Sequence, residues 1–504
     1  MVNKKKKVLN KTARISYLIF LLASIIFIFL LNKILPGKFI ILLIGLFSFL
    51  FVIFGFFALF IKVKKKYKII QIVSCLLLAI GLILCDVAIP IYSGKLARLF
   101  VKIPDEGQMN INVYILNDKN YSDIEDLAGK TVGIQSKVDI DYQNYAIKVV
   151  NKQIQNEDIN VASYQDIYQL VEALYNGEVE AILLNQNYAS IIADNKDFAD
   201  FNDKCKNLYT VVQKVQLLDS TTSVTDIVNE PFLIAVSGND QWDYNSINSN
   251  SSFRTDVNML VGINPKTKQA LIITLPRDSY VYLDGMGYDK LTHASIYGNN
   301  CWVNAIKNIL SLDEINYYFK VNFQSVSAIV DALGGVQVDN PYYFESSYCL
   351  RYDESLNKVV TETKSYPQGI ITLDGSGALG YVRERYSLPD GDIGRNKHQA
   401  IFLKGCIDKL CSVSTITNIS SILNQLQGTF TTNISFNDIL SLAQMQLDDM
   451  ADWNIKSYSI LGYGQDRQCF SLDEEYYSVE ILYDESVDLA KQYIESLFNG
   501  EILQ

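Results

Sequence analysis

The sequence predicts an α/β protein hung from a membrane anchor: three apolar helices, a small α/β domain, then a larger α/β domain. Three observations predict it. Apolar runs of about twenty residues, long enough to cross a hydrocarbon core as helices, occur only in the first 94 positions. Charge divides at the same place: residues 1–94 hold thirteen Lys/Arg and one acid, Asp86, so a chain of net charge −11 carries −23 beyond them. Past that point, short apolar strands alternate with segments whose apolar residues recur at helical spacing.

Composition narrows the function classes. A chain of 504 residues, 49% hydrophobic and 20% charged, is neither a disordered tail nor purely a membrane bundle. Two histidines leave little room for a His-rich metal site, and eight cysteines without a CxxC pair exclude a zinc ribbon or finger. The strongly acidic remainder argues against nucleic-acid binding, which needs basic surface.

The anchor comes first. The apolar stretches are Ser16–Leu35, Phe39–Ile61 and Ile69–Ile91. Lys4–Lys7, Lys11 and Arg14 precede the first, and Lys62, Lys64, Lys65, Lys66 and Lys68 fill the gap before the third. The positive-inside rule puts the N-terminus and that gap in the cytoplasm, and three crossings put everything after about residue 94 outside. The basic flanks suit anionic membrane lipid. Asp86 lies near the outer end of the third span, within reach of water. Six cysteines would lie outside, where pairing and free buried thiols are both open.

Residues 98–225 read as an accessory α/β domain. Asn112–Leu116 alternates as a strand, Ser122 is placed to cap a helix, and Gly129-Lys130 turns into the strand Thr131–Gln135. Asp166–Tyr175 has apolar residues at helical spacing, Asn176-Gly177 stops it, and Val179–Leu184 is a buried strand. The runs Asp126-Leu-Ala-Gly-Lys-Thr-Val-Gly133 and Leu174 to Ala181 resemble one lobe of the extracellular solute-binding proteins. With room for one lobe only, a spacer or interaction role is the plainer expectation.

Residues 228–504 form the main domain. Phe232–Val236 is an apolar strand followed by Ser237-Gly-Asn-Asp240, and Asn245–Ser252 is a polar loop. Arg254-Thr-Asp256 leads into the strand Val257–Val261, and Asn264–Thr267 turns into Ala270–Leu275, which ends in Pro276-Arg-Asp278. If these strands are neighbours, Asp240, Asp256 and Asp278 gather with Arg254 and Arg277 at one sheet edge. Carboxylates without a histidine partner favour a hard cation such as Mg²⁺ or Mn²⁺. Further on, Arg383 and Arg385 share one face if the segment is extended, and Arg395 and Gln399 share one if it is helical. Clustered guanidinium groups fit phosphate oxygens; with this many acids, a salt-bridged surface is the alternative. Val330–Val338, with its Gly334-Gly335 turn, reads as structural, and His293 as a packed or surface histidine.

From Phe232 to about Ala400 the chain resembles the catalytic domain of the LytR–CpsA–Psr (LCP) family. The matching blocks are Gly238-Asn-Asp240, Arg254-Thr-Asp256, Pro276-Arg-Asp278, Asp289-Lys290, Val330–Val338, Tyr381-Val-Arg-Glu-Arg385 and Asp392-Ile-Gly-Arg395 with Gln399. Three spans and an extra domain look like the streptococcal capsule-type branch. The resemblance implies an anchor at 1–94, the accessory domain at 98–225, and at 228–504 (core 232–405) a mixed sheet covered by helices. It also implies an enzyme that moves a glycopolymer phosphate, of capsular or teichoic-acid type, from undecaprenyl pyrophosphate to peptidoglycan. On that reading Asp240 and Asp256 hold Mg²⁺ or Mn²⁺. Arg254, Arg277, Lys290, Arg383, Arg385, Arg395 and Gln399 grip the pyrophosphate, and Asp278 orients Arg277 or its neighbours. The catalytic set is Asp256, Arg277 and Asp278. Where the family usually has Arg, this chain has His398, which would supply less charge to that corner. The alternative is a non-catalytic membrane sensor of envelope polymer assembly.

Overall fold

The computed structural model describes residues 2–32, 37–59, 64–97, 106–136, 139–186, 188–216, 221–239, 254–284, 286–353, 355–356, 358–412, 414–415, 422, 425–426, 429–471 and 473–503. It divides into two compact units. The first comprises 1–101 with 410–425 and 434–452, and the second comprises 102–409, 426–433 and 453–504.

The first unit is built on α1 (Val2–Leu31), α2 (Gly37–Leu59) and α3 (Lys65–Ala97). Stretches of 25, 21 and 23 residues in these helices are long and apolar enough to cross a membrane. Their mutual contacts are aromatic and small: Phe20 meets Phe47, Phe51 and Phe54, while Ala23, Cys75 and Ala79 are buried beside it. Most other apolar side chains on the three helices point outward, as a lipid-facing bundle requires.

The second unit starts with the accessory lobe. Its elements are β1 (Glu106–Leu116), β2 (Thr131–Gln135), α4 (Ile140–Gln153), β3 (Asn160–Tyr164), α5 (Ile167–Tyr175), β4 (Ala181–Asn185), α6 (Tyr188–Asp194), α7 (Phe201–Lys204) and β5 (Cys205–Gln216). The sheet order is β3-β2-β4-β1-β5, with β2 parallel to β3 and β4 and the long β1–β5 pair antiparallel. The expected βαβ pattern is present. Asp166 caps α5 by accepting from the Gln169 amide, and Gly177, at φ +73°, turns the chain after it. Ser122 is not the cap of the first turn. Asp123 takes that place in a reciprocal arrangement with Asp126, and the shorter side-chain reach of a 3-10 turn over Ile124–Leu127 favours it.

The main sheet follows. Its strands are β6 (Phe232–Gly238), β7 (Val257–Asn264) and β8 (Gln269–Leu275), and then come the hairpin β9 (Tyr280–Leu283) and β10 (Gly287–Lys290). Next are α8 (Leu291–Ala294), α9 (Asn299–Leu310), β11 (Tyr317–Val321), α10 (Phe323–Ala332), β12 (Val336–Asn340), β13 (Phe344–Asp353), β14 (Lys358–Tyr366) and β15 (Gly369–Leu373). The rest are α11 (Gly375–Arg383), α12 (Gly391–Leu410), β16 (Thr431–Thr432), α13 (Phe436–Asp449, in the first unit), β17 (Asn454–Ser459), β18 (Gly462–Cys469), β19 (Asp473–Leu482) and α14 (Asp484–Asn499).

Six strands in the order β16-β11-β6-β7-β8-β17 make a mixed sheet. One face packs through Leu233, Leu260 and Ile273 onto Trp302 and Ile306 of α9 and Ile494 and Leu497 of α14. The other packs through Met259 and Ile272 onto Ala400 and Leu403 of α12. Helices thus cover both faces. The lobe is not independent of this domain. Its Leu174, Tyr188, Ile192 and Phe201 share one apolar cluster with Ile296, Cys469 and Val479, and Tyr188 and Tyr297 join hydroxyls at 3.0 Å. No disulfide joins any of the eight cysteines among the described residues.

Candidate functional site

The strand order decides where the site lies. Antiparallel pairing of β6 with β7 and β7 with β8 brings the end of β6, the start of β7 and the end of β8 to one edge. That edge receives Asp256 and Arg277-Asp278, which the sequence places there, and Asn239 beside them. Asp240 lies outside the described residues. The backbone locks the edge: Asp256 N donates to Gly238 O at 2.9 Å, Thr255 N to Thr292 O at 3.2 Å, and Thr292 N to Arg277 O at 2.8 Å.

Arg277 is central. Its Nη1 donates to Asp256 Oδ1 at 2.7 Å, and its Nε lies 3.5 Å from Asp278 Oδ2 without forming a hydrogen bond. Burial pulls the Arg277 pKa down, but the carboxylates of Asp256 and Asp278 outweigh it and hold the pKa above its ordinary value. The second oxygen of Asp256 has no partner among the described residues, so it is open to a hard cation. Asp278 also meets Lys290 Nζ at 3.4 Å and so bridges two cations.

Lys290 is fixed from behind by Asp289 and His293, which the sequence marked separately, and by Ser471, which it did not. Asp289, fully buried, accepts from the Lys290 amide at 2.7 Å and from the Ser471 amide at 3.0 Å. His293 Nδ1 lies 2.7 Å from Asp289 Oδ1 and 3.0 Å from Ser471 Oγ. The i, i+4 spacing of Asp289 and His293 signals this contact; Ser471, 178 residues from His293, does not.

The second constellation is split by a helix end. Arg383 closes α11 and Arg385 lies beyond its cap, so the extended geometry that would align them is absent. Arg383 stacks over the rings of Phe323 (4.1 Å) and Tyr348 (5.1 Å) and donates to Tyr348 O at 3.1 Å. Arg385 instead turns to Tyr386 and to Asp392, whose Oδ1 is 3.6 Å away. Arg395 donates to Asp392 Oδ2 at 2.7 Å while its Nε stays buried without a hydrogen-bond partner among the described residues. Burial lowers the Arg395 pKa, partly offset by Asp392. Asp392 therefore organises two arginines, a role not assigned to it from sequence. Gln399, on the same helix as Arg395, donates to Val382 O at 3.1 Å and ties α12 to α11. Arg254 stands half-buried just before β7.

His398 corrects one expectation. It does not face the charged corner but is fully buried, stacked on Tyr381 at 4.5 Å and flanked by Phe344 (4.9 Å) and Tyr342 (5.5 Å). An imidazole fits this aromatic layer as a neutral ring. Burial drives its pKa down to about 4, with the nearby Tyr381 backbone and Glu384 resisting. Lys397 pairs with Asp390 at 2.7 Å.

A cavity of about 420 Å³ lies elsewhere, at the N-terminal end of α11 among Asp331, Gly335, Tyr366 and Gly377. Its lysine, Lys364, is outweighed by Asp374 at 2.8 Å and Glu362 at 3.1 Å, which leaves no net positive charge there for a pyrophosphate.

Comparison with known proteins finds relatives of this chain. The chain is 32% identical over 216 residues to a protein of Enterococcus faecalis (strain ATCC 700802 / V583) named polyisoprenyl-teichoic acid–peptidoglycan teichoic acid transferase TagU, covering 42% of this chain and 65% of that one. It is 30% identical over 235 residues to the protein of the same name from Bacillus licheniformis, covering 46% and 69%. The chain thus spans about two thirds of these relatives' length. A solved structure titled "TagT bound to LIIa-WTA" overlays 56% of this chain and 96% of its own at 26% identity, with a TM-score of 0.41. The family model of LytR_cpsA_psr matches residues 198–483, from the end of the lobe to the last strand, and the chain belongs to that family.

Proposed function

We propose that this protein is a membrane-anchored phosphotransferase. It moves a glycopolymer phosphate, of teichoic-acid or capsular type, from a polyprenyl pyrophosphate carrier such as undecaprenyl pyrophosphate to peptidoglycan outside the membrane. The observation that carries the reading is the edge where Arg277, Lys290, Arg385 and Arg395 meet Asp256, Asp278 and Asp392. Membership of the family and the names of the relatives support it.

Phosphoryl transfer asks a protein for positioning and charge neutralisation more than for covalent work. Arg277, Lys290 and Arg385 supply planar forks and a point charge for the pyrophosphate oxygens. Arg277 and Arg395 each keep a buried Nε–H in reserve. Asp256 holds Arg277 at its angle, and Asp278 holds Arg277 and Lys290 together. Asp256, through its open oxygen, and Asp240 would hold Mg²⁺ or Mn²⁺, which would offset pyrophosphate charge when bound. Arg383, clasped by two rings, anchors the end of α11 from which Arg385 projects. The basic flanks of α1 and α3 stay in the cytoplasm by the positive-inside rule, which places the catalytic domain on the wall side.

The test uses the full chain in detergent with a polyprenyl pyrophosphate-linked sugar, Mg²⁺ and a peptidoglycan fragment. Asp256→Ala is expected to lower transfer by about 10³-fold, because it frees Arg277 and removes a metal oxygen. Transfer at the wild-type rate would refute the role given to Asp256, and tight carrier binding without turnover in the wild type would refute the enzyme reading and favour a sensor.

A further inference from the structure

The β9–β10 hairpin rises directly from the cation cluster. Asp278 precedes β9 and Lys290 ends β10, so both of its roots are site residues. The register pairs Tyr288 with Tyr282 and Lys290 with Tyr280. Residues directly opposite in an antiparallel pair, and residues two apart in a strand, share one face. Tyr280, Tyr282, Tyr288 and Lys290 therefore line a single face. The opposite face, with Val281, Leu283 and Asp289, is buried in the domain.

The tyrosine face is open. Tyr282 is 47% and Tyr288 53% exposed, and neither hydroxyl has a partner among the described residues. Tyr280 and Tyr288 stack at 5.0 Å, Tyr282 meets Tyr288 edge-on at 5.3 Å, and Tyr280 anchors the row by donating to Gln468 O at 2.8 Å. Tyr288 is two residues, about 7 Å along the strand, from Lys290. Stabilising a hairpin does not require leaving two large rings in water with idle hydroxyls at the mouth of a charged site.

We infer that this face is a subsite for uncharged pyranose rings, and that its occupant is the saccharide attached to the carrier pyrophosphate. The inference rests on the pyrophosphate reading given above. A sugar bonded to a phosphate held by Lys290 must pass over the side chains that share the face of Lys290. Pyranose rings offer C–H faces to aromatic rings and hydroxyls to phenols, and an amphipathic tyrosine row meets both. A polyprenyl chain would instead need an enclosed apolar channel, and this row is open and hydroxylated. Apart from Lys290, the charge on the hairpin is acidic, Asp284 at its tip and the buried Asp289, which suits neutral rings better than a polyanionic repeat.

The experiment measures binding to the full chain in detergent by calorimetry, with three probes: polyprenyl pyrophosphate, the same carrier bearing N-acetylglucosamine, and the methyl glycoside of N-acetylglucosamine without pyrophosphate. The double variant Tyr282→Ala/Tyr288→Ala is expected to weaken the sugar-bearing carrier about tenfold and leave the bare carrier unchanged. Tyr282→Phe/Tyr288→Phe, which keeps the rings, should retain most of that affinity. Equal weakening of both carriers, or no change in either, would overturn the inference. So would an unchanged carrier affinity with a raised KM for the peptidoglycan fragment, which would give the face to the acceptor. If the wild type binds neither carrier, the phosphotransferase reading fails by itself. The methyl glycoside then decides the face: binding lost in the Ala variant supports it, and no binding refutes it.

Discussion

Replacing His398 by Phe should remove a specific part of the acid sensitivity of this protein. His398 is fully buried among Tyr342, Phe344 and Tyr381, and neither ring nitrogen has a hydrogen-bond partner among the described residues. Its pKa is pushed down to about 4 by burial. The unfolded chain, with an ordinary histidine, binds the proton first as pH falls. Stability is therefore intact above about pH 6.5 and is lost progressively toward pH 4. At pH 4.5 the gap between pKa values of about 6.5 and about 4 corresponds to about 2.5 kcal/mol, an order-of-magnitude figure. The assay is reversible unfolding of the full chain in detergent, followed by near-ultraviolet circular dichroism at pH 7.5 and pH 4.5. Carboxylates titrate over the same range in both proteins, so the wild-type-minus-variant difference isolates the imidazole. Phe is slightly larger and shifts the baseline at pH 7.5 in either direction, which leaves the slope as the readout. Identical loss of stability in the two proteins would show that His398 is protonated in the native state, and the buried-neutral assignment would be wrong.

Two further outcomes follow from local geometry. Asp139 heads α4 at φ +54° with its carboxyl enclosed, and burial raises its pKa to about 6 against a bond from Asn185. Asp139→Asn, which suits that backbone and can keep the Asn185 contact, should raise stability by about 1–3 kcal/mol at pH 7.5. The gain should vanish below about pH 4, where the folded and unfolded carboxyls are both protonated, and a gain independent of pH would refute the cause. Gly405, in α12, leaves no room for a side chain: a Cβ there would sit 2.3 Å from Gln337 O. Gly405→Ala should cost about 1–3 kcal/mol in thermal unfolding despite its better helix propensity, and an unchanged or higher Tm would mean that α12 shifts freely.

Local signals made much of this molecule readable. The anchor follows from apolar length, and β6, β7 and β8 from continuous apolar runs broken at Asn239 and Asn264-Pro-Lys-Thr267. Once those three strands are neighbours, the convergence of Asp256, Arg277 and Asp278 needs no further information. Arg383 and Arg385 were harder, because a two-residue spacing has meaning only if the backbone is extended, and a helix ends between them. His398 illustrates a different loss: a polar residue beside Lys397 and Gln399 reads as part of a charged corner, and only packing against β13 and α11 shows that it belongs to an aromatic layer. The join between lobe and sheet domain was illegible for the same reason. Tyr188 and Tyr297 are 109 positions apart, and nothing local to either announces the other.

The charges at the site explain how a basic cluster survives in an acidic domain. Among the described residues, Arg277 is held by Asp256, Lys290 by Asp278, and Arg385 and Arg395 by Asp392. Bringing these cations together bare would set like charges against one another in a partly buried edge. Each carboxylate offers the same oxygen geometry to a guanidinium that a phosphate does, so the forks are already aimed before an anion arrives. Binding on this view is partner exchange, and little order has to be created. The pairs are not equally easy to open. The side chain of Asp392 is 49% exposed and that of Asp256 25%, so on the phosphotransferase reading proposed above an incoming pyrophosphate would displace the Asp392 contacts first and leave the Asp256–Arg277 bond as the fixed reference. On the same reading that order would matter for turnover, because Asp392 would retake Arg385 and Arg395 as the leaving group departs, and that return contact would favour release of the spent carrier.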